Sequence, residues 1–106
     1  MVKIFEINLL LSSLYKLKNN ENCVKIGFVE QKYNEEYFVE MSSLYEDVIK
    51  TASKLGFIEK QTEFIKLTTQ GEDFFKLREK SLNPTRKQRL FHVKMDYFHL
   101  FQVIIH

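Results

Sequence analysis

The sequence predicts a mainly α-helical domain of the α+β class, with one small β-hairpin and a long C-terminal helix. Three observations predict it. Apolar residues recur at three- and four-residue intervals through most of the chain, the period of a helix face. Residues 57–68 break that period and read as two short apolar arms around a polar tip. Asn83-Pro84 then interrupts the chain before a helical pattern that continues towards His106.

Residues 4–18 read as the first helix, with Ile7, Leu10, Leu11, Leu14 and Leu17 on one face. The run Asn19-Asn20-Glu21-Asn22 ends it, because asparagine favours turns. Residues 23–41 allow more than one assignment. Cys23–Ile26 suits a short strand, Phe28–Lys32 a short helix, and Tyr37–Met41 either. Ser42 and Ser43 suit a helix N-cap, and Glu46, three residues after Ser43, completes a capping box. The helix that follows spans Leu44–Leu55 with Leu44, Val48, Ala52 and Leu55 inward, and Gly56 stands at the C-cap glycine position.

The hairpin arms are Phe57–Glu59 and Phe64–Leu67, with Lys60–Glu63 as the tip. Thr69 and Glu72 form a second capping box for a helix from about Gln70 to Ser81, with Phe74 and Leu77 inward. Asn83 as N-cap and Pro84 as the first helical residue start the last helix. The expected organisation is one unit over residues 1–82 and a C-terminal helix over residues 83–106.

Composition limits the function classes. A chain of 106 residues with 44% hydrophobic content supports one packed core. A net charge of +2 is too small for a protein that coats nucleic acid, so any such contact must come from a local patch. Cys23 is the only cysteine, which excludes an internal disulfide and fits a reducing compartment. No secretory leader pattern is visible at residues 1–11, and no apolar run is long enough to span a bilayer. The expected location is cytoplasmic.

The segments Lys54-Leu55-Gly56-Phe57-Ile58-Glu59 and Ile65-Lys66-Leu67-Thr68-Thr69-Gln70-Gly71-Glu72-Asp73-Phe74 resemble the winged helix-turn-helix superfamily. The resemblance implies that the helix before Gly56 is a recognition helix, that the hairpin is a wing, and that Thr68 or Thr69 caps the helix after it. A narrower resemblance covers Leu55 to Phe75 together with Arg86, Lys87, Arg89, Leu90 and Phe91. It is to the AAA-associated C-terminal domain that follows the ATPase unit in nitrate/taurine-type ABC transporters, and to that domain's stand-alone archaeal relatives. The chain departs from that pattern in residues 24–41, which are longer than expected before the recognition helix, and it contains no GxxxxGK[ST].

Two functional readings follow. In the first, a DNA-binding transcriptional regulator, the recognition helix reads a major groove with Ser43, Tyr45, Lys50, Thr51 and Lys54. Lys60 and Lys66 of the wing and the cluster Arg86, Lys87 and Arg89 then meet phosphates. Glu46 and Asp47 at the helix start suit its dipole but repel phosphate. In the second reading, implied by the narrower resemblance, the chain is a regulatory protein-interaction domain with a transporter ATPase or another protein as partner.

The last helix is apolar on more than one side. Leu90, Val93, Tyr97, Phe101 and Ile104 lie on one face, and Phe98 with Phe91 on another. A surface helix of a small domain needs one apolar face, so a homodimer, or a missing part of a longer protein, is expected to cover the second. His92, Asp96 and His99 share a side, but positions seven apart lie roughly 10 Å along the axis, too far to grip one ion easily. Neither a metal nor a cofactor is expected. No nucleophile elbow, phosphate-cradling glycine loop or HExxH is present, so the chain is read as non-enzymatic.

Overall fold

The computed structural model describes residues 2–18, 23–36, 45–78 and 81–91. They form a mainly helical α+β unit around a three-stranded antiparallel sheet, in the order α1 (Ile4–Leu17), β1 (Cys23–Lys25), α2 (Ile26–Glu36), α3 (Tyr45–Lys54), β2 (Ile58–Lys60), β3 (Phe64–Leu67) and α4 (Thr69–Lys76). Residues 86–91 are also helical.

Helix α1 runs through the middle of the core. Every residue from Glu6 to Leu14 is buried, including Leu9 and the polar Asn8, Ser12 and Ser13. The expected single apolar face is therefore too narrow, and Leu17, placed on that face from its spacing, is exposed. Helices α2, α3 and α4 and strand β3 pack around α1, so polar groups on its far side are enclosed as well. Each enclosed group needs a partner. Ser13 Oγ donates to Leu9 O at 2.9 Å, and Glu6 accepts from the Lys3 backbone N–H at 3.1 Å.

Residues 23–36 settle into one of the open alternatives. Strand β1 is followed at once by α2, whose first N–H, on Ile26, donates to Glu63 O at 3.0 Å. Val29 and Tyr33, four apart, are the buried positions of α2. Residues 37–44, with the Tyr37–Met41 alternatives and the Ser42/Ser43 cap, lie outside the described residues.

Helix α3 buries Val48, Ile49 and Ala52 and is closed by Gly56, at φ 80°. The Gly56 N–H donates to Ser53 O at 3.0 Å and the Phe57 N–H to Ala52 O at 2.9 Å, the paired bonds of a Schellman motif. The hairpin is present with a shorter tip than expected. Lys60 belongs to β2 opposite Ile65, and the Gln61 N–H to Phe64 O bond at 2.8 Å closes the turn. Phe57 lies outside the strands, packed on Phe74 with ring centroids 4.5 Å apart.

Three terminal assignments are corrected. The N-cap of α4 is Thr68, whose hydroxyl accepts from the Gly71 N–H at 3.0 Å; it is not Thr69, and Glu72 pairs instead with Lys18 of α1 at 3.0 Å. Helix α4 ends at Lys76, not near Ser81. Leu77 and Arg78 donate to the tighter i−3 carbonyls, and Thr85 Oγ1 donates to Leu77 O at 2.9 Å. The cap of the following helical segment is Thr85, not Asn83. The Gln88 N–H donates to Thr85 Oγ1 at 3.2 Å, and Gln88 Oε1 accepts from the Thr85 N–H at 3.3 Å.

That segment packs on the rest of the unit. Gln88 is fully buried beside α1, and Phe91 packs against Phe57 and Phe74 at 5.9 and 5.4 Å. Among the described residues no helix is long and apolar enough to cross a membrane.

Candidate functional site

A cleft of about 750 Å³ opens between the start of α2, the outward side of α3 and the inner edge of the hairpin. Its floor is apolar, from Ile26, Ile49 and Ile65. Around it stand Lys50 and Lys54 of α3 and Lys60 of β2, with Glu30 of α2 and Glu46 of α3. The helical period explains the α3 part. With Val48, Ile49 and Ala52 turned inward, Lys50 and Lys54, one turn apart, must face out, and both are exposed.

The strand period explains the rest. Directly opposed residues share a face of a sheet, so the registers Ile58↔Leu67, Lys60↔Ile65 and Val24↔Ile65 place Lys60 on the inner face, beside α3. Lys66 is opposed by Glu59 and Cys23 and lies on the other face. The two hairpin lysines thus belong to different surfaces, and Lys66 is absent from the cleft.

Tyr45 does not reach outward as a groove reader would. Its ring meets Tyr33 edge-on at 5.2 Å, and its hydroxyl is buried with no hydrogen-bond partner among the described residues. Burial, and then the neighbouring Glu30 carboxylate, push the phenol well above its ordinary range. Thr51 is half-buried on the cleft wall. Ser43 lies outside the described residues.

Neither family models, nor curated proteins, nor solved structures match this chain.

Arg86, Lys87 and Arg89 are exposed on the helical residues 86–91 but do not line the cleft. The positive residues therefore form separate groups. Of the apolar residues assigned to dimerisation, Leu90 is 60% exposed, while Val93, Tyr97, Phe98, Phe101 and Ile104 lie outside the described residues, as do His92, Asp96 and His99. Among the described residues no cluster of three metal-ligating side chains occurs.

Sequence reasoning missed Glu30 and Ile26 as cleft residues, because α2 was one of several alternatives. It also missed Gln88, although Thr85-Arg86-Lys87-Gln88 carries the S/T-x-x-E/Q signature of a capping box.

Proposed function

We propose that this chain is a winged helix that binds double-stranded DNA, with α3 as the recognition helix and the β2–β3 hairpin as the wing. The observation that carries the reading is the grouping of Lys50, Lys54 and Lys60 around one cleft. Exposed lysines on an outward helix and an adjoining hairpin suit a helix in a groove with phosphates beside it. The order of helices and strands, and the sheet order β1-β3-β2, support the winged-helix assignment. The role is that of a non-enzymatic, cytoplasmic, regulator-like module, with the C-terminal helix joining two copies. Arg86, Lys87 and Arg89 add a second set of phosphate contacts.

A protein-interaction role, of the kind found beside transporter ATPases, is the second reading. Glu30 and Glu46 in the cleft and the exposed Leu90 favour it. Fluorescence anisotropy with mixed-sequence duplex DNA at two salt concentrations separates the two. Micromolar binding that falls steeply with salt supports the DNA reading. No binding at low salt removes it in favour of the protein-interaction role.

A further inference from the structure

Three consecutive carbonyls leave the end of α3, and each accepts a hydrogen bond from the start of α4. Gln70 Nε2 donates to Leu55 O at 2.7 Å, Thr68 Oγ1 to Gly56 O at 2.6 Å, and the Thr68 N–H to Phe57 O at 3.1 Å. The Thr68 hydroxyl is used twice, since it also accepts from the Gly71 N–H. The two backbones touch at this point: a Cβ on Gly71 would lie 2.1 Å from Phe57 O. Leu55 to Phe57 joins α3 to β2, so the bonds to these carbonyls add to the packing of α3 on β2 in fixing the angle between helix and hairpin.

We infer that Thr68 and Gln70 are positioning residues for the DNA-facing surface. They hold the exit of α3 and the root of the hairpin so that Lys50 and Lys54 on one element and Lys60 on the other face a single cleft. Neither side chain lines that cleft, so each acts through the lysines. The inference rests on the DNA reading above.

The test compares Gln70→Met, which keeps length and removes the donor, with Thr68→Val and Thr68→Ser. Amide hydrogen exchange of Gly56 and Phe57 is measured by NMR, and duplex affinity by anisotropy, in the wild type and in a K54A/K60A background. Gln70→Met is expected to speed exchange at Phe57 and to weaken duplex binding by up to about fivefold, the ceiling set by one net hydrogen bond. Thr68→Val behaves alike, and Thr68→Ser restores both readouts. In the K54A/K60A background Gln70→Met costs little further affinity, because its effect passes through those lysines. Unchanged exchange, unchanged affinity, or an equal loss in the K54A/K60A background overturns the inference while leaving the DNA reading in place. A wild-type chain that binds no duplex overturns both.

Discussion

Asn8 and Gln88, eighty positions apart, grip each other inside the core by two side-chain hydrogen bonds. Asn8 Nδ2 donates to Gln88 Oε1 at 2.9 Å, and Gln88 Nε2 donates back to Asn8 Oδ1 at 2.6 Å. The remaining donors are used as well, on Leu82 O at 3.0 Å and Phe74 O at 3.1 Å. This pair ties the segment after Pro84 to the central helix and sets its register.

A buried amide that loses its partner bears the whole desolvation cost. Asn8→Leu or Gln88→Leu alone is therefore expected to destabilise the fold by about 2–3 kcal/mol. The double variant should be less destabilised than the sum of the two, since no orphaned amide remains on either side of the pair. Urea denaturation of the four proteins measures this, and strictly additive losses would argue against the pair.

The three glycines should rank in a definite order on substitution by alanine. At Gly71 the new Cβ meets the Phe57 backbone at 2.1 and 2.9 Å, which cannot yield without moving α3 from α4, so a loss of about 3 kcal/mol is expected. At Gly56 the φ of +80° disfavours any side chain, while the nearest atom, Gln70 Nε2 at 3.2 Å, is the movable end of a side chain. A loss of about 1–2 kcal/mol is expected there. Gly27 is exposed in α2 with nothing within 4 Å, and alanine should raise stability by about 0.5 kcal/mol through helix propensity. Thermal or urea unfolding gives the order directly.

Tyr45 predicts a pH dependence. Its folded-state pKa is raised above the unfolded value, so the folded state holds the phenolic proton more tightly. The associated stability is complete below the ordinary phenol range, near pH 10, and is lost as pH rises above it. Tyr45→Phe removes this alkaline loss. At neutral pH it should stabilise by about 1 kcal/mol, because a buried hydroxyl without a partner among the described residues disappears. Urea midpoints near neutral pH and above the phenol range check both parts. A Tyr45→Phe protein as alkali-sensitive as the wild type contradicts the assignment.

Local patterns carried as far as local physics decides. The α3 pattern with Gly56, and the presence of two arms within residues 57–68, were readable because helix period, left-handed glycine and strand composition agree there, while the bounds of the first arm at Phe57 and Lys60 were not. Helix caps were less so. Thr68 and Thr69 are adjacent and chemically equal, and only the extended backbone of Thr68 (φ −86°, ψ 165°) points its hydroxyl at Gly71. Asn83-Pro84 drew the cap away from Thr85 because a proline after asparagine is a strong local signal, while the Thr85–Gln88 box is secured by a long-range partner, Asn8. The enclosure of α1 on all sides was not legible, since it depends on how α2, α3 and α4 assemble around it. At the site, the α3 spacing placed Lys50 and Lys54 outward together. The separation of Lys60 from Lys66 needed the strand register, which no composition rule supplies.

The central claim is that Lys50, Lys54 and Lys60 act on one surface towards DNA phosphates, and that Lys66 does not. The salt dependence of duplex affinity tests it most directly, because each phosphate contact adds about 0.9 to the slope of log K against log salt. Replacing Lys50, Lys54 and Lys60 together by alanine should reduce the slope by about 2–3 and weaken binding at low salt, while Lys66→Ala leaves the slope within about 0.5 of wild type. Equal effects from Lys66 and the cleft lysines, or a triple variant that binds as the wild type does, would contradict the account.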